Sequence, residues 1–280
     1  MIVYLNGNFK ALEKAHISPL DHSFLYGDGV FETIRAYKGK IFKLDEHIER
    51  LKNAISILEI KIPKIDKKNL YQLLSLNNLK DAIIRITISR GEGQRGIDPA
   101  LCKKPNIVVI TEEFRGFSKK CVSATILDIR RQHPKTLPSI KSNNYLPNIL
   151  AKIEAKKKGV DEGIFLTIDG YVACGITSNI FIYSRGKLIT PPLSTGILPG
   201  ITRKVIIEIA SSIGIPVLEK RFRKPALFEA DCVFLTSTGY EIMPIARIDN
   251  CVYKIPQALV DKLLSLFREK ACVSSFNQKF

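Results

Sequence analysis

Four histidines in 280 residues leave little from which to build a histidine metal centre. The six cysteines, Cys102, Cys121, Cys174, Cys232, Cys251 and Cys272, lie far apart and include no C-x-x-C pair. Neither a zinc site nor a disulfide framework is therefore expected, no metal is expected, and a reducing cytosol fits. No apolar run is long enough to span a bilayer. Met1–Asn8 shows no basic stretch ahead of an apolar one, so neither a membrane anchor nor a secretory signal is expected. There is no internal repeat and no low-complexity tract. Acidic side chains are in short supply: 27 against 43 lysines and arginines, for a net charge of +16. A basic surface can serve nucleic acid or an acidic membrane. Here the lysines are scattered, apart from short runs such as Lys156-Lys157-Lys158, and no nucleic-acid motif accompanies them. Lysine-rich codon usage or a preference for small anions is the expectation; no nucleic acid or membrane partner is.

What remains is an ordinary globular composition, 45% hydrophobic and 25% charged, enough for one large or two medium cores. Residues 2–6 read as a strand turning at Asn6-Gly7-Asn8. Leu25–Tyr37 begins as a glycine-rich turn and continues as a strand; Gly27 and Gly29 either shape the turn or let backbone approach a ligand. Leu44, Ile48, Leu51, Ile55 and Leu58 recur at helical spacing, with Asp45 placed to cap, and Arg50 lies at the edge of the apolar stripe. A second helix covers 68–76. Strands follow at 83–88 and 106–111, around an arginine- and glycine-bearing loop, 89–96, that suits carboxylate binding. The polar stretch 112–120 reads as a linker. Beyond it come a strand at 121–129, a helix over about 148–158 stopped by Gly159, hairpins at 163–174 and 179–190, a helix after Leu198–Arg203, a strand at 231–237 and a last helix near 256–270. The pattern is α+β.

Three features of this pattern bear on chemistry. Lys141 stands between an apolar residue and the start of a helix; a desolvated lysine can act as nucleophile or base and can condense with an aldehyde. Leu198-Pro199-Gly200-Ile201-Thr202 combines a glycine, backbone N–H groups and a hydroxyl at a helix start, which suits a phosphate. Ser237-Thr238-Gly239 again offers hydroxyls beside a glycine. With Arg50, a phosphorylated aldehyde cofactor could use them all.

Taken together, Tyr26-Gly-Asp-Gly-Val-Phe-Glu-Thr-Ile-Arg35, His47-Ile-Glu-Arg-Leu51, Lys141-Ser-Asn-Asn-Tyr-Leu146, Ser178-Asn-Ile-Phe181, Leu198-Pro-Gly-Ile-Thr-Arg203 and Ser237-Thr238 resemble the class IV aminotransferases, the pyridoxal-phosphate enzymes of fold type IV. That family includes branched-chain aminotransferases, D-amino acid aminotransferases and aminodeoxychorismate lyases. The resemblance implies a smaller N-terminal α/β sandwich (residues 1–115), a linker (116–122) and a larger barrel-like C-terminal domain (123–280) carrying the Schiff-base lysine. It also implies a cofactor lying between the domains and a homodimer, which the cysteine pattern places in the cytoplasm.

The resemblance assigns roles as well. Lys141 matches the Schiff-base lysine that shuttles the substrate's α-proton. Arg50, Ile201, Thr202 and Thr238 match positions around the cofactor phosphate, and Ser237 is a further cofactor-binding position. Phe31, Arg85, Arg95, Tyr145 and Gly239 are candidates for the substrate site, with Glu32 near it. Cys174 departs from the pattern: most members carry a glutamate there that keeps the pyridine nitrogen protonated, and a protonated ring is the stronger electron sink. A thiol is a weak substitute, and a slower proton-transfer step is expected. The expected activity is transamination between an amino acid, branched-chain first, and a 2-oxo acid such as 2-oxoglutarate. The alternatives are aminodeoxychorismate lyase, D-amino acid aminotransferase and, because of Cys174, a catalytically impaired cofactor-binding protein.

Overall fold

The computed structural model of the chain describes residues 1–61, 65–131 and 140–273. They form two compact units, one of Met1–Arg115 with Ile140–Asn144, the other of residues 116–131 and 145–270. The break after Arg115 falls inside the polar stretch that reads as a linker. The segment around Lys141, which the resemblance assigns to the second domain, groups by its contacts with the first unit.

The first unit is built on a six-stranded antiparallel sheet, ordered β2-β1-β6-β5-β3-β4. Its strands are β1 (Ile2–Leu5), β2 (Asn8–Ala11), β3 (Gly29–Tyr37), β4 (Lys40–Ile41), β5 (Ala82–Ser89) and β6 (Asn106–Glu113). Alternation fixes two faces. Val30, Ile34 and Ala36 of β3 lie with Ile84, Ile86 and Ile88 of β5 in one core, against Leu44, Ile48, Leu51 and Ile55 of α2 (Leu44–Ile57) and Leu70, Leu73 and Leu74 of α3 (Lys67–Leu76). Phe31, Thr33 and Arg35 point the other way, with Arg85 and Thr87 beside them in register. Asp45 does not cap α2. The N-cap is Lys43, in left-handed backbone with φ of 52° and no side-chain cap bond, and Asp45 sits in the first turn, where its charge meets the positive helix end and Lys67. In α3 a true cap is present: Asp66 accepts from Lys68 N–H at 2.9 Å. The short α1 (His22–Tyr26) is capped by Asp21 and ends at Gly27, whose φ of 70° favours glycine.

The second unit holds a nine-stranded curled half-barrel sheet, β12-β11-β10-β13-β14-β7-β8-β9, with β15 paired to β14. Its members are β7 (Val122–Arg131), β8 (Glu162–Thr167), β9 (Val172–Gly175), β10 (Asn179–Ser184), β11 (Lys187–Thr190), β12 (Val217–Glu219), β13 (Cys232–Ser237), β14 (Glu241–Ile248) and β15 (Cys251–Val252). The helices are α4 (Leu146–Lys157), α5 (Ile201–Ser212), α6 (Lys224–Phe228) and α7 (Gln257–Val273). One core joins Ile126, Ile164, Val172, Ile180, Val233, Leu235 and Ile245. Another packs Ala151 and Ala155 of α4 against Leu127, Phe165 and Cys174. Phe181 and Phe234 stack in neighbouring strands with centroids 5.2 Å apart. β14 is the main strand that sequence reading does not anticipate. Pro244 stands in its middle, opposite Phe234, and a proline ordinarily argues against an interior strand.

Candidate active site

Residues Ile140–Asn143 run along the part of β3 that β4 leaves uncovered. Phe31 N–H donates to Lys141 O at 2.8 Å, Asn143 N–H donates to Gly29 O at 2.9 Å, and Ser142 bridges to Val30. Asn143 Nδ2 reaches Ser23 Oγ at 2.6 Å and Asn144 Nδ2 reaches Gly27 O at 3.1 Å. This docking is what the two glycines permit. A Cβ at Gly29 would fall 2.6 Å from Ile88 O and 2.7 Å from Asn143 Nδ2, and one at Gly27 would collide with the Asn144 amide. So held, the half-buried Lys141 places Nζ 4.3 Å from the centroid of the Phe31 ring. The Arg85 guanidinium carbon lies 3.8 Å from the same centroid. Phe31 is itself buried. Two cations at one aromatic ring combine an amine able to accept or donate a proton with a guanidinium able to hold a carboxylate. Of the predicted substrate residues, Phe31 and Arg85 are thus brought to Lys141. Arg95 is exposed on its loop.

Arg50 occupies a different cluster on the helix-covered face. Its Nε donates to Glu32 Oε1 at 2.7 Å and its Nη2 to Glu32 Oε2 at 2.8 Å. His47 Nδ1, one helical turn earlier, lies 2.8 Å from Glu32 Oε2. Burial alone would raise the Glu32 carboxyl; the hydrogen bonds from His47 and Arg50 outweigh it and lower the pKa to about 2. Burial pushes the His47 imidazole down despite the bond to Glu32, so the ring is neutral and its Nδ1 carries the shared proton. The loop arginine that binds a carboxylate is Arg90, and the carboxylate is the chain's own: Arg90 meets Asp28 through Nε at 2.5 Å and Nη2 at 3.2 Å, and Leu58 O at 2.7 Å.

The second unit carries the other predicted positions. Ile201 and Thr202 open α5, whose N-cap Gly200 makes no side-chain cap bond. Asn179 Nδ2 donates to Leu198 O at 3.0 Å and fixes the turn; a Cβ at Gly200 would strike Asn179 Oδ1. Thr236, the register partner of Asn179 on β13, is 1% exposed, and its hydroxyl has no partner among the described residues; the same holds for the buried Ser178 hydroxyl. Orphaned hydroxyls beside an uncapped helix start fit a bound anion such as a phosphate. Ser237 Oγ accepts from Tyr240 N–H at 3.0 Å, and Thr238 and Gly239 follow it in the same turn. Tyr145 forms the N-cap position of α4.

Cys174 lies on β9 opposite Phe165, 7% exposed, and burial pushes its thiol up, so it is neutral. Sequence reading gives no signal for its neighbour Glu162. That carboxyl is buried and accepts from Gly163 N–H at 3.0 Å and Ile176 N–H at 3.2 Å, with Tyr240 Oη 3.4 Å away. Burial outweighs those bonds and raises its pKa. The pairing of His47 with Glu32 and of Arg90 with Asp28 was equally unsignalled, since each joins residues far apart in sequence.

The model of the family described as Amino-transferase class IV matches residues 29–248. A putative branched-chain-amino-acid aminotransferase of Methanocaldococcus jannaschii is 41% identical over 276 residues, covering 96% of each chain. The aminodeoxychorismate lyase of Bacillus subtilis is 38% identical over 286 residues, covering 99% of this chain and 97% of the relative. Among solved structures, the T.th. branched-chain amino acid aminotransferase with pyridoxamine 5'-phosphate superposes with a TM-score of 0.89 at 30% identity, over 96% of this chain and 93% of that one. With the family model matching most of its length and both relatives more than 30% identical over nearly all of it, the chain belongs to the class IV aminotransferases.

Proposed function

We propose that the chain is a pyridoxal-phosphate-dependent transaminase that exchanges an amino group between a branched-chain amino acid and a 2-oxo acid such as 2-oxoglutarate. The observation that carries the reading is the Lys141 amine, held by backbone hydrogen bonds beside Phe31 and Arg85. Bound pyridoxal phosphate supplies an aldehyde carbon and an electron-withdrawing ring that stabilises negative charge on the substrate's α-carbon. Lys141 is the residue that would hold the cofactor through its aldehyde carbon, and its Nζ would take and return the substrate's α-proton. Arg50, the N–H groups of Ile201 and Thr202, the Thr202 hydroxyl, Ser237 and Thr238 hold the phosphate. Arg85 and Arg95 are assigned to substrate carboxylates, and Phe31, Tyr145 and Gly239 to the walls of the substrate site. Cys174 is assigned to the ring nitrogen, to which its neutral thiol would offer only a hydrogen bond.

The working form is a homodimer in the cytoplasm, with no nucleic acid or membrane partner. Leu146, Ile149, Leu150 and Ile153 form an exposed apolar stripe on α4 that a second copy would cover. Among the described residues no cysteine forms a disulfide, which fits a reducing compartment. No described helix is long and apolar enough to cross a membrane.

The test supplies purified protein and cofactor with leucine, isoleucine or valine in L and D forms, and 2-oxoglutarate. Glutamate formed from the L-amino acids is the expected result. The lyase relative makes a second assay informative: pyruvate released from aminodeoxychorismate without any amino acceptor would assign the lyase reaction instead. Glutamate from the D forms alone would assign the D-specific activity, and no product in either assay would overturn the reading.

A further inference from the structure

Glu32 is an anomaly in its surroundings. It projects from the middle of β3 onto the face that packs α2, between Val30 and Ile34, both completely buried, and is itself 1% exposed. A carboxylate taken out of water at such a position is costly unless its oxygens are fully engaged. Here the engagement is specific. Both oxygens take the side-on fork of Arg50, Nε and Nη2, at 2.7 and 2.8 Å. A fork of two parallel bonds fixes the plane of the guanidinium as well as its position. His47 adds a third bond at 2.8 Å to the oxygen that already accepts from Nη2. His47 and Arg50 are three residues apart on α2, so one carboxylate spans neighbouring positions of a single helical turn. Arg50 sets a positive charge directly against Glu32, while burial holds the imidazole's pKa down. Long arginine side chains ordinarily sample many rotamers, and holding one costs entropy at the moment of binding. A preset guanidinium avoids that cost.

We infer that Glu32 and His47 are positioning residues for Arg50: the buried carboxylate, itself oriented by the imidazole, presets the guanidinium so that it meets the cofactor phosphate without reorganising. The inference rests on the assignment of Arg50 to the phosphate given above, and it predicts a phosphate-specific effect. A residue that merely supported the fold would weaken every ligand alike. One acting through Arg50 weakens binding only where a phosphate is present.

The experiment measures dissociation constants of pyridoxal phosphate and of pyridoxal, which lacks the phosphate, for wild type, Glu32→Gln, His47→Asn, Arg50→Ala and the double variant Glu32→Gln/Arg50→Ala. Glu32→Gln is expected to weaken pyridoxal phosphate about tenfold or more, and His47→Asn less, while pyridoxal affinity stays within about twofold. In the Arg50→Ala background the Glu32→Gln effect on pyridoxal phosphate should vanish. Glu32→Asp, which keeps the charge but withdraws it by one methylene, should show the same phosphate-selective loss and serves if the glutamine variant does not fold. Equal losses for pyridoxal phosphate and pyridoxal, or a full Glu32→Gln effect without Arg50, would overturn the positioning role while leaving the cofactor assignment standing. Unchanged pyridoxal phosphate affinity in Arg50→Ala would instead remove the phosphate assignment, and the inference with it.

Discussion

Lys141 and Phe31 are joined twice. The lysine carbonyl accepts the Phe31 N–H at 2.8 Å, and the lysine amine stands 4.3 Å from the centre of the Phe31 ring. One residue of β3 thus fixes both the backbone and the side-chain end of Lys141, and the position of the amine depends on how closely residues 140–144 can approach β3.

That dependence makes Gly29 sensitive. In Gly29→Ala the new methyl would meet Ile88 O and the Asn143 amide, and the Ile88 carbonyl belongs to the sheet and yields little. The variant should lose about 1–3 kcal/mol of stability, the range for overpacking a close contact. Its turnover number should fall further than its melting temperature alone explains, because Lys141 is displaced. Urea titration and steady-state kinetics on the same preparation check both; unchanged kinetics in a destabilised protein would detach the segment's docking from catalysis.

Cys174 is expected to limit the proton-transfer step. A neutral, buried thiol cannot keep a pyridine nitrogen protonated as a carboxylate does. Single-turnover half-reactions should run faster in Cys174→Glu than in wild type, with cofactor affinity retained. No gain in rate would show that the ring does not depend on this partner, or that the new carboxyl, beside the buried Glu162, is itself kept protonated.

Stability should fall with acid in two stages. His47 has a folded pKa below 6.5, so the unfolded chain binds a proton that the fold resists, and stability declines as pH drops through about 6.5. Glu32 has a folded pKa of about 2 against an ordinary 4.5; its contribution is complete above 4.5 and is lost as pH falls from there toward 2. The second stage amounts to about 3 kcal/mol. Denaturant titrations from pH 7 downward should show the second stage in wild type and a much shallower slope below pH 4.5 in Glu32→Gln.

The α4 stripe predicts the assembly state. Ile149→Glu with Ile153→Glu should shift the protein from dimer to monomer in light scattering behind size exclusion, since both side chains are about half exposed in the single chain. A wild-type monomer would overturn the homodimer, and a dimer indifferent to both charges would place the interface elsewhere.

Much of the fold was legible because alternation and helical spacing are local properties. The strands at β3, β5 and β6, the turn at Asn6-Gly7, the hairpin around Arg185-Gly186 and the stop at Gly159 all follow from nearby residues. β14 was hidden by Pro244. Asp45 looked like a cap because the true N-cap, Lys43, adopts left-handed backbone that no short pattern announces. The lysine, the helix start at Ile201 and the Ser237-Thr238 turn were visible as motifs. Their supporting partners were not: Glu32 to Arg50 spans 18 residues and Asn143 to Ser23 spans 120, and only folding brings such pairs together.

Everything proposed for this site turns on Lys141 as the amine that bonds pyridoxal phosphate and moves the substrate proton. The most direct measurement is the absorbance spectrum of the protein with pyridoxal phosphate, before and after L-leucine, in wild type and Lys141→Ala. The expected result is a yellow band that L-leucine converts to that of the pyridoxamine form, and no such band in the variant. A band that survives loss of Lys141, or one that no amino donor discharges, would contradict that role.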